Sequence, residues 1–128
     1  MVHDYDLFYI SGSSSSSSTT ISLYLNGSSA NGSVIVPDDY VMKANKMTIS
    51  NSTSSTQYVT LVAAPSQYLP SGTPSITIAT ISVPATGTII LSDEDLQSII
   101  PSGYYLQATI PTAVSGISIS ATAYFSKG

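Results

Sequence analysis

The chain has 128 residues, of which 42% are hydrophobic and only 8% charged, with a net charge of −4 from seven acids, three lysines and no arginine. That is enough chain for one domain with a core, and too few cations to neutralise a phosphate backbone, which excludes nucleic acid as a partner. Cysteine is absent, which excludes disulfides, thiolate metal sites and cysteine nucleophiles together.

The amino-terminal MVHDYD carries two acids and no basic run ahead of an apolar stretch, which is not the pattern of a secretory signal. No apolar segment approaches the ~20 residues that cross a bilayer. The expectation is synthesis in a cytoplasm, without an N-terminal export signal and without membrane insertion. Leu7, Phe8, Tyr9 and Ile10 then form a short apolar run at the end of a strand expected over residues 5–10. The tract SGSSSSSSTT follows at residues 11–20. It reads either as a loop between two strands of one fold or as a tether that lets the run before it pair with another subunit's sheet edge. The chain is therefore divided into residues 1–12, a candidate subunit-contact arm; 13–18, a serine-rich loop or tether; and 19–128, the folded domain. Leu7, Phe8, Tyr9 and Ile10 are the candidate subunit-contact residues.

From residue 19 the apolar period is two. Ile21, Leu23 and Leu25 alternate with Ser22, Tyr24 and Asn26, which puts each set on one face of a sheet. Strands are expected over residues 19–26, 33–36, 41–50, 57–64, 75–83, 87–92, 103–110 and 116–125. Asn-Gly, Pro-Ser-Gly and Pro-Ala-Thr-Gly turn signals separate them. In ITIATISV, residues 76–83, Ile76 and Ile78 share one parity while Ile81 and Val83 share the other, which predicts a bulge or bend near Ala79-Thr80. In SDEDLQSII, residues 92–100, Ser92 and Asp95 fit a capping pattern, and Leu96, Ile99 and Ile100 fall at helical spacing. One short helical turn is expected near 93–100. The fold class is all-β: a two-sheet antiparallel sandwich, jelly-roll-like, of eight or nine strands.

Catalytic vocabulary is scarce. His3 is the only histidine, so a serine nucleophile has one candidate base and a His- or Cys-built metal site has too few ligands. Asp38-Asp39 and Asp93-Glu94-Asp95 could supply acid/base pairs or calcium oxygens, but neither has EF-hand spacing, and adjacent acids in serine-rich loops are ordinarily solvated. No cofactor is expected, and the chain is read as not an enzyme. Tyr24, Tyr105 and Tyr124 occupy the polar phase of their strands and offer an aromatic platform for sugar, or straddle the core boundary with their hydroxyls wet. Three Asn-x-Ser/Thr triplets, at Asn26, Asn31 and Asn51, are candidate N-glycosylation sites.

Residues 34–125 carry an ordered series of motifs: VIVPDDYVMKANKMTISNSTSSTQYVTLVAAP, then ITIATISVPATGTIILSD, then IIPSGYYLQATIPTAVSGISISATAYF. Strand, Pro-containing turn and strand succeed one another to a final alternating strand. This series resembles small β-sandwich structural proteins of bacterial and archaeal viruses, found in tails, fibres and capsid decorations. Residues 1–33 lie outside the resemblance. It implies a virion component repeated around a symmetry axis, with no catalytic residues. The expected function is a non-enzymatic virion structural protein (minor capsid, turret, fibre or tail component), a homo-oligomer made in the host cytoplasm. Its expected partners are copies of itself, other virion proteins and a host surface glycan. The alternatives are a carbohydrate-binding module or adhesin, and a subunit of a cellular filament or surface layer.

Overall fold

The computed structural model describes residues 6–96 and 99–127. His3, the first residues of the strand expected over 5–10, and positions 97–98 of the expected helical turn lie outside the described residues. Among these residues ten strands are formed: β1 (Phe8–Ser13), β2 (Thr20–Ser22), β3 (Tyr24–Leu25), β4 (Tyr40–Asn51), β5 (Gln57–Pro65), β6 (Ile76–Val83), β7 (Gly87–Ser92), β8 (Ile99–Ile100), β9 (Tyr104–Thr109) and β10 (Ile117–Lys127). Every pairing is antiparallel.

Sheet 1 runs β3-β1-β10-β4-β7, with β8 also on β4, and sheet 2 runs β2-β9-β5-β6. Without the two-residue strands β3 and β8, the remaining eight fall in the order 1-8-3-6 over 2-7-4-5. Successive strands thus alternate between sheets except at the β5–β6 hairpin, as in two interlocked Greek keys, the jelly-roll arrangement. The chain is all-β, as its alternating pattern predicts.

Period two buries one side of each sheet. Ile10, Met47, Ile49, Ile117, Ile119 and Ala121 from sheet 1 meet Ile21, Val59, Leu61, Leu106 and Ala108 from sheet 2. Full burial of each larger side chain contributes about 1.5–3 kcal/mol, so this interlayer is the main source of stability. At one end Phe8 packs on Phe125, with ring centroids 4.9 Å apart, and Tyr40 meets Phe125 edge-on at 6.4 Å.

Two bulges keep the pattern in phase. On β4, Lys46 pairs with Thr122 and Ala44 with Ala123, leaving Asn45 as the extra residue. Met42 and Met47, of opposite parity, are therefore both buried. On β6, Ala79 pairs with Leu61 and Thr77 with Val62. The extra residue is Ile78, beside the expected Ala79-Thr80. It packs partly buried against the core together with Ile81. The bulge does not carry β6 around a corner; the strand stays in sheet 2 throughout.

Two local expectations are corrected. Residues 33–36 contribute only one isolated bridge, Tyr24 to Ser33, and no strand. The expected helical turn closes over residues 92–96, with the Leu96 N–H donating to the Ser92 carbonyl four residues back at 3.0 Å and Asp95 accepting from the Ser92 N–H and Oγ. Ile99–Ile100 has strand geometry because it pairs with β4 at Lys43 and Met42. A 3-10 turn also forms at Ser29–Asn31.

The serine tract is an arch from sheet 1 to sheet 2. Residues 8–13 form a strand between β3 and β10 of their own chain, so they belong to the same sandwich as the strands after the arch. Ser14 is buried; its N–H donates to the Ile117 carbonyl at 2.8 Å, and its Oγ accepts from the Ile117 N–H at 3.0 Å. Ser15 to Ser18 close a tight turn, and Ser18 Oγ accepts from the Thr20 N–H at 3.1 Å. Gly12 allows the crossing, because a Cβ there would overlap the Ser22 carbonyl oxygen and touch Leu23.

Candidate functional site

Strand pairing places directly opposed residues on the same side of a sheet, so the register maps the outer face of sheet 1. One row reads Ser13, Ser118, Ser50 and Thr88 across β1, β10, β4 and β7. The next reads Tyr24, Ser11, Ser120, Thr48 and Ile90, starting on β3. The third reads Tyr9, Thr122, Lys46 and Ser92. Hydroxyls dominate because alternating Ser and Thr fill the solvent phase of four neighbouring strands.

This face is concave. A depression of about 310 Å³ is floored by Ser11, Ser13, Thr48, Ser50, Ser118 and Ser120, with Gly27 at its rim. A second, of about 150 Å³, is lined by Tyr9, Lys46, Thr48, Ser120 and Thr122. The two share Thr48 and Ser120 and form one trough. Among the described residues its hydroxyls are mostly open: Ser50 Oγ and Thr88 Oγ1 lie 3.3 Å apart at one edge, and the others make no side-chain hydrogen bond to protein. The unpaired hydroxyls are left to solvent or a ligand.

The tyrosine platform is corrected by topology. Tyr105 is on β9 in sheet 2, opposite Ala64, and cannot share a face with Tyr24 and Tyr124. Tyr9 takes its place: it is 50% exposed, diagonal to Tyr24 across β1 and β3, and diagonal to Tyr124 across β1 and β10. The Tyr24–Tyr9–Tyr124 line thus crosses three adjacent strands. Tyr9 sits in a short apolar run, which hid its outward orientation; the period-two parity Phe8-in, Tyr9-out, Ile10-in carries the signal.

Of the candidate subunit-contact residues, Ile10 is buried in the core and Phe8 packs against it, whereas Leu7 and Tyr9 face outward. The three Asn-x-Ser/Thr sites also part company. Asn51 is 2% exposed. Its Nδ2 donates to the carbonyls of Ser55, Val83 and Pro84 at 2.9, 3.1 and 3.2 Å, and its Oδ1 accepts from the Thr53 N–H and Oγ1 at 2.9 and 2.7 Å. That amide joins the end of β4 to the β6–β7 turn and is inaccessible to a transferase, so Asn51 is corrected from glycan acceptor to structural residue. Asn31 is exposed but donates its Nδ2 to the Leu25 carbonyl at 2.6 Å. Asn26 is exposed in a left-handed turn, φ 54°.

The carboxylates occupy two different turns, Asp38-Asp39 before β4 and Asp93-Glu94-Asp95 after β7. Among the described residues there is no group of three or more His, Cys, Asp or Glu placed to hold a metal ion, and no helix is long and apolar enough to cross a membrane. A further opening of about 430 Å³ lies at one end of the sandwich, between the 55–58 and 111–114 segments, beside the exposed Tyr58. No protein-family model matches the sequence, and no curated protein is significantly similar to it.

Proposed function

We propose that this protein is a non-enzymatic virion structural subunit, a minor capsid, turret, fibre or tail component that works by self-assembly and presents its loops outward. It would be made in the host cytoplasm and carried into the particle with copies of itself and other virion proteins. The observation that carries the reading is the free edge of the jelly roll at β6. This eight-residue strand ends sheet 2 and contains no charge and no proline. Long edge strands without lysine or proline pair readily with another chain, and among the described residues no strand pairs with the outer edge of β6, which carries the Ile78 bulge. Self-repulsion is weak on a surface this poor in charge. Jelly rolls serve as capsid and lectin domains, so the fold accommodates this use without dictating it.

Sedimentation equilibrium and electron microscopy of the purified protein test the reading. The expected result is a defined oligomer, and a Thr77→Lys/Thr80→Lys double variant, charged at two exposed positions of β6, that sediments as a folded monomer. A wild-type chain that stays monomeric at all concentrations, or an oligomer indifferent to both lysines, overturns it.

A further inference from the structure

We propose that the trough on the outer face of sheet 1 is a binding site for a neutral saccharide, with Tyr9 as its stacking platform and the Ser11–Ser120–Thr48 row as its hydrogen-bonding floor. The site is distinct from the β6 edge, which lies at the end of the other sheet.

The chemistry of the floor selects the ligand. Each free hydroxyl offers one donor and two acceptor lone pairs. Strands about 4.8 Å apart carry neighbouring hydroxyls that do not bond one another in this row, so one ligand oxygen can be shared between two of them at about 2.8 Å from each. A polyhydroxylated ring supplies such oxygens at every carbon and can alternate donor and acceptor as the floor does. A protein edge would need a ladder of free backbone groups, and the interior strands β1, β10 and β4 have theirs committed to one another. An apolar partner would leave the hydroxyls desolvated and unpaired, at a cost of about 1–3 kcal/mol each.

The walls agree with the floor. Tyr9 is half exposed on the trough's lining, where an aromatic ring covers the C–H face of a sugar while its hydroxyl stays wet. Tyr24 stands opposite Ser11 on the same face. The larger depression contains no charged side chain, and Lys46 lines only the smaller one, so the floor is matched to an uncharged ligand. Its volume falls at the lower end of the roughly 300–1,000 Å³ typical of small-molecule pockets. The groups stand on paired strands rather than on loops, which holds them in fixed spacing.

The test applies labelled full-length protein to an array of neutral and acidic glycans, then measures affinity for the neutral oligosaccharides bound by titration calorimetry. Tyr9→Ala and Thr48→Val are each expected to weaken binding at least about tenfold, while Thr60→Val, which removes a hydroxyl from the outer face of sheet 2, changes it less than about twofold. Thermal melting confirms that each variant is folded, and Thr48→Val, nearly isosteric, reads the floor even where Tyr9→Ala does not fold. A silent array from folded protein, binding confined to acidic glycans, or an equal loss in Thr60→Val overturns the proposal. So does conversion of an oligomer to monomer by Tyr9→Ala, which would make the trough a self-interface. Assembly is measured separately, without glycan and through β6, so either proposal can fail while the other stands.

Discussion

Two serine-rich regions of this chain have nearly the same composition and opposite physical roles. In the arch after Ser13 and the turn that begins at Asn51, the key polar side chains are consumed by the fold: Ser14 caps the start of β10, and Asn51 ties three segments with both ends of its amide. On the outer face of sheet 1, Ser11, Ser118 and Ser120 stand on well-paired strands and bond to nothing in the protein. The difference lies in what the backbone around each group still lacks. Turns leave N–H and C=O groups without ladder partners, and a nearby hydroxyl or amide completes them. A strand between two neighbours has none to complete, so its side chains are left for something outside the chain.

Deletions of the same few atoms should separate these roles, in descending order of cost. Gly12→Ala lies at the junction, where β1 leaves the trough and enters the arch. The new Cβ meets Ser22 backbone rather than a movable side chain, and the cost should reach several kcal/mol or prevent folding, read from soluble yield and the urea midpoint. Asn51→Ala strands the Thr53 N–H and the carbonyls of the β6–β7 turn. About 2–3 kcal/mol should be lost in urea unfolding, with the Thr53 and Thr86 amides exchanging faster. Ser14→Ala leaves the buried Ile117 N–H without an acceptor, and about 1–2 kcal/mol is expected by the same measurement. Ser118→Ala and Ser120→Ala remove the same hydroxyl from the open floor and should stay within about 0.5 kcal/mol of the parent. If Ser120→Ala costs as much as Ser14→Ala, the distinction between consumed and open hydroxyls fails.

The sheets were legible in the sequence wherever alternation was clean, as in β2, β9 and β10, because solvent and core impose period two directly. The β6 bulge was legible from four apolar residues that no regular strand could bury together. The β4 bulge went unread although Met42 and Met47 carried the same signal, since Ala44 and Val41 masked the phase change between them. Residues 99–100 were ambiguous because two adjacent isoleucines satisfy a helical or an extended pattern equally, and pairing with β4 decided it. The trough was the least legible feature. Which strands become neighbours is a matter of topology, and only the 1-8-3-6 order brings Tyr9, Ser120 and Thr48 to one surface while sending Tyr105 to the other. The role of Asn51 was likewise hidden, because a buried amide and a glycan acceptor share the same triplet.

The pairing of β1 with β10 has a consequence for how the molecule is made. Phe8 lies opposite Ala123 and Ser13 opposite Ser118, so β1 finds its partner only once the chain through β10 has been made. Until then β1 and one side of β4 remain unzipped, at a stage when long-range closure is slow and exposed strands are prone to pair wrongly. Closure of sheet 1 is therefore timed by β10, and removal of that strand would leave the widest sheet split down the middle.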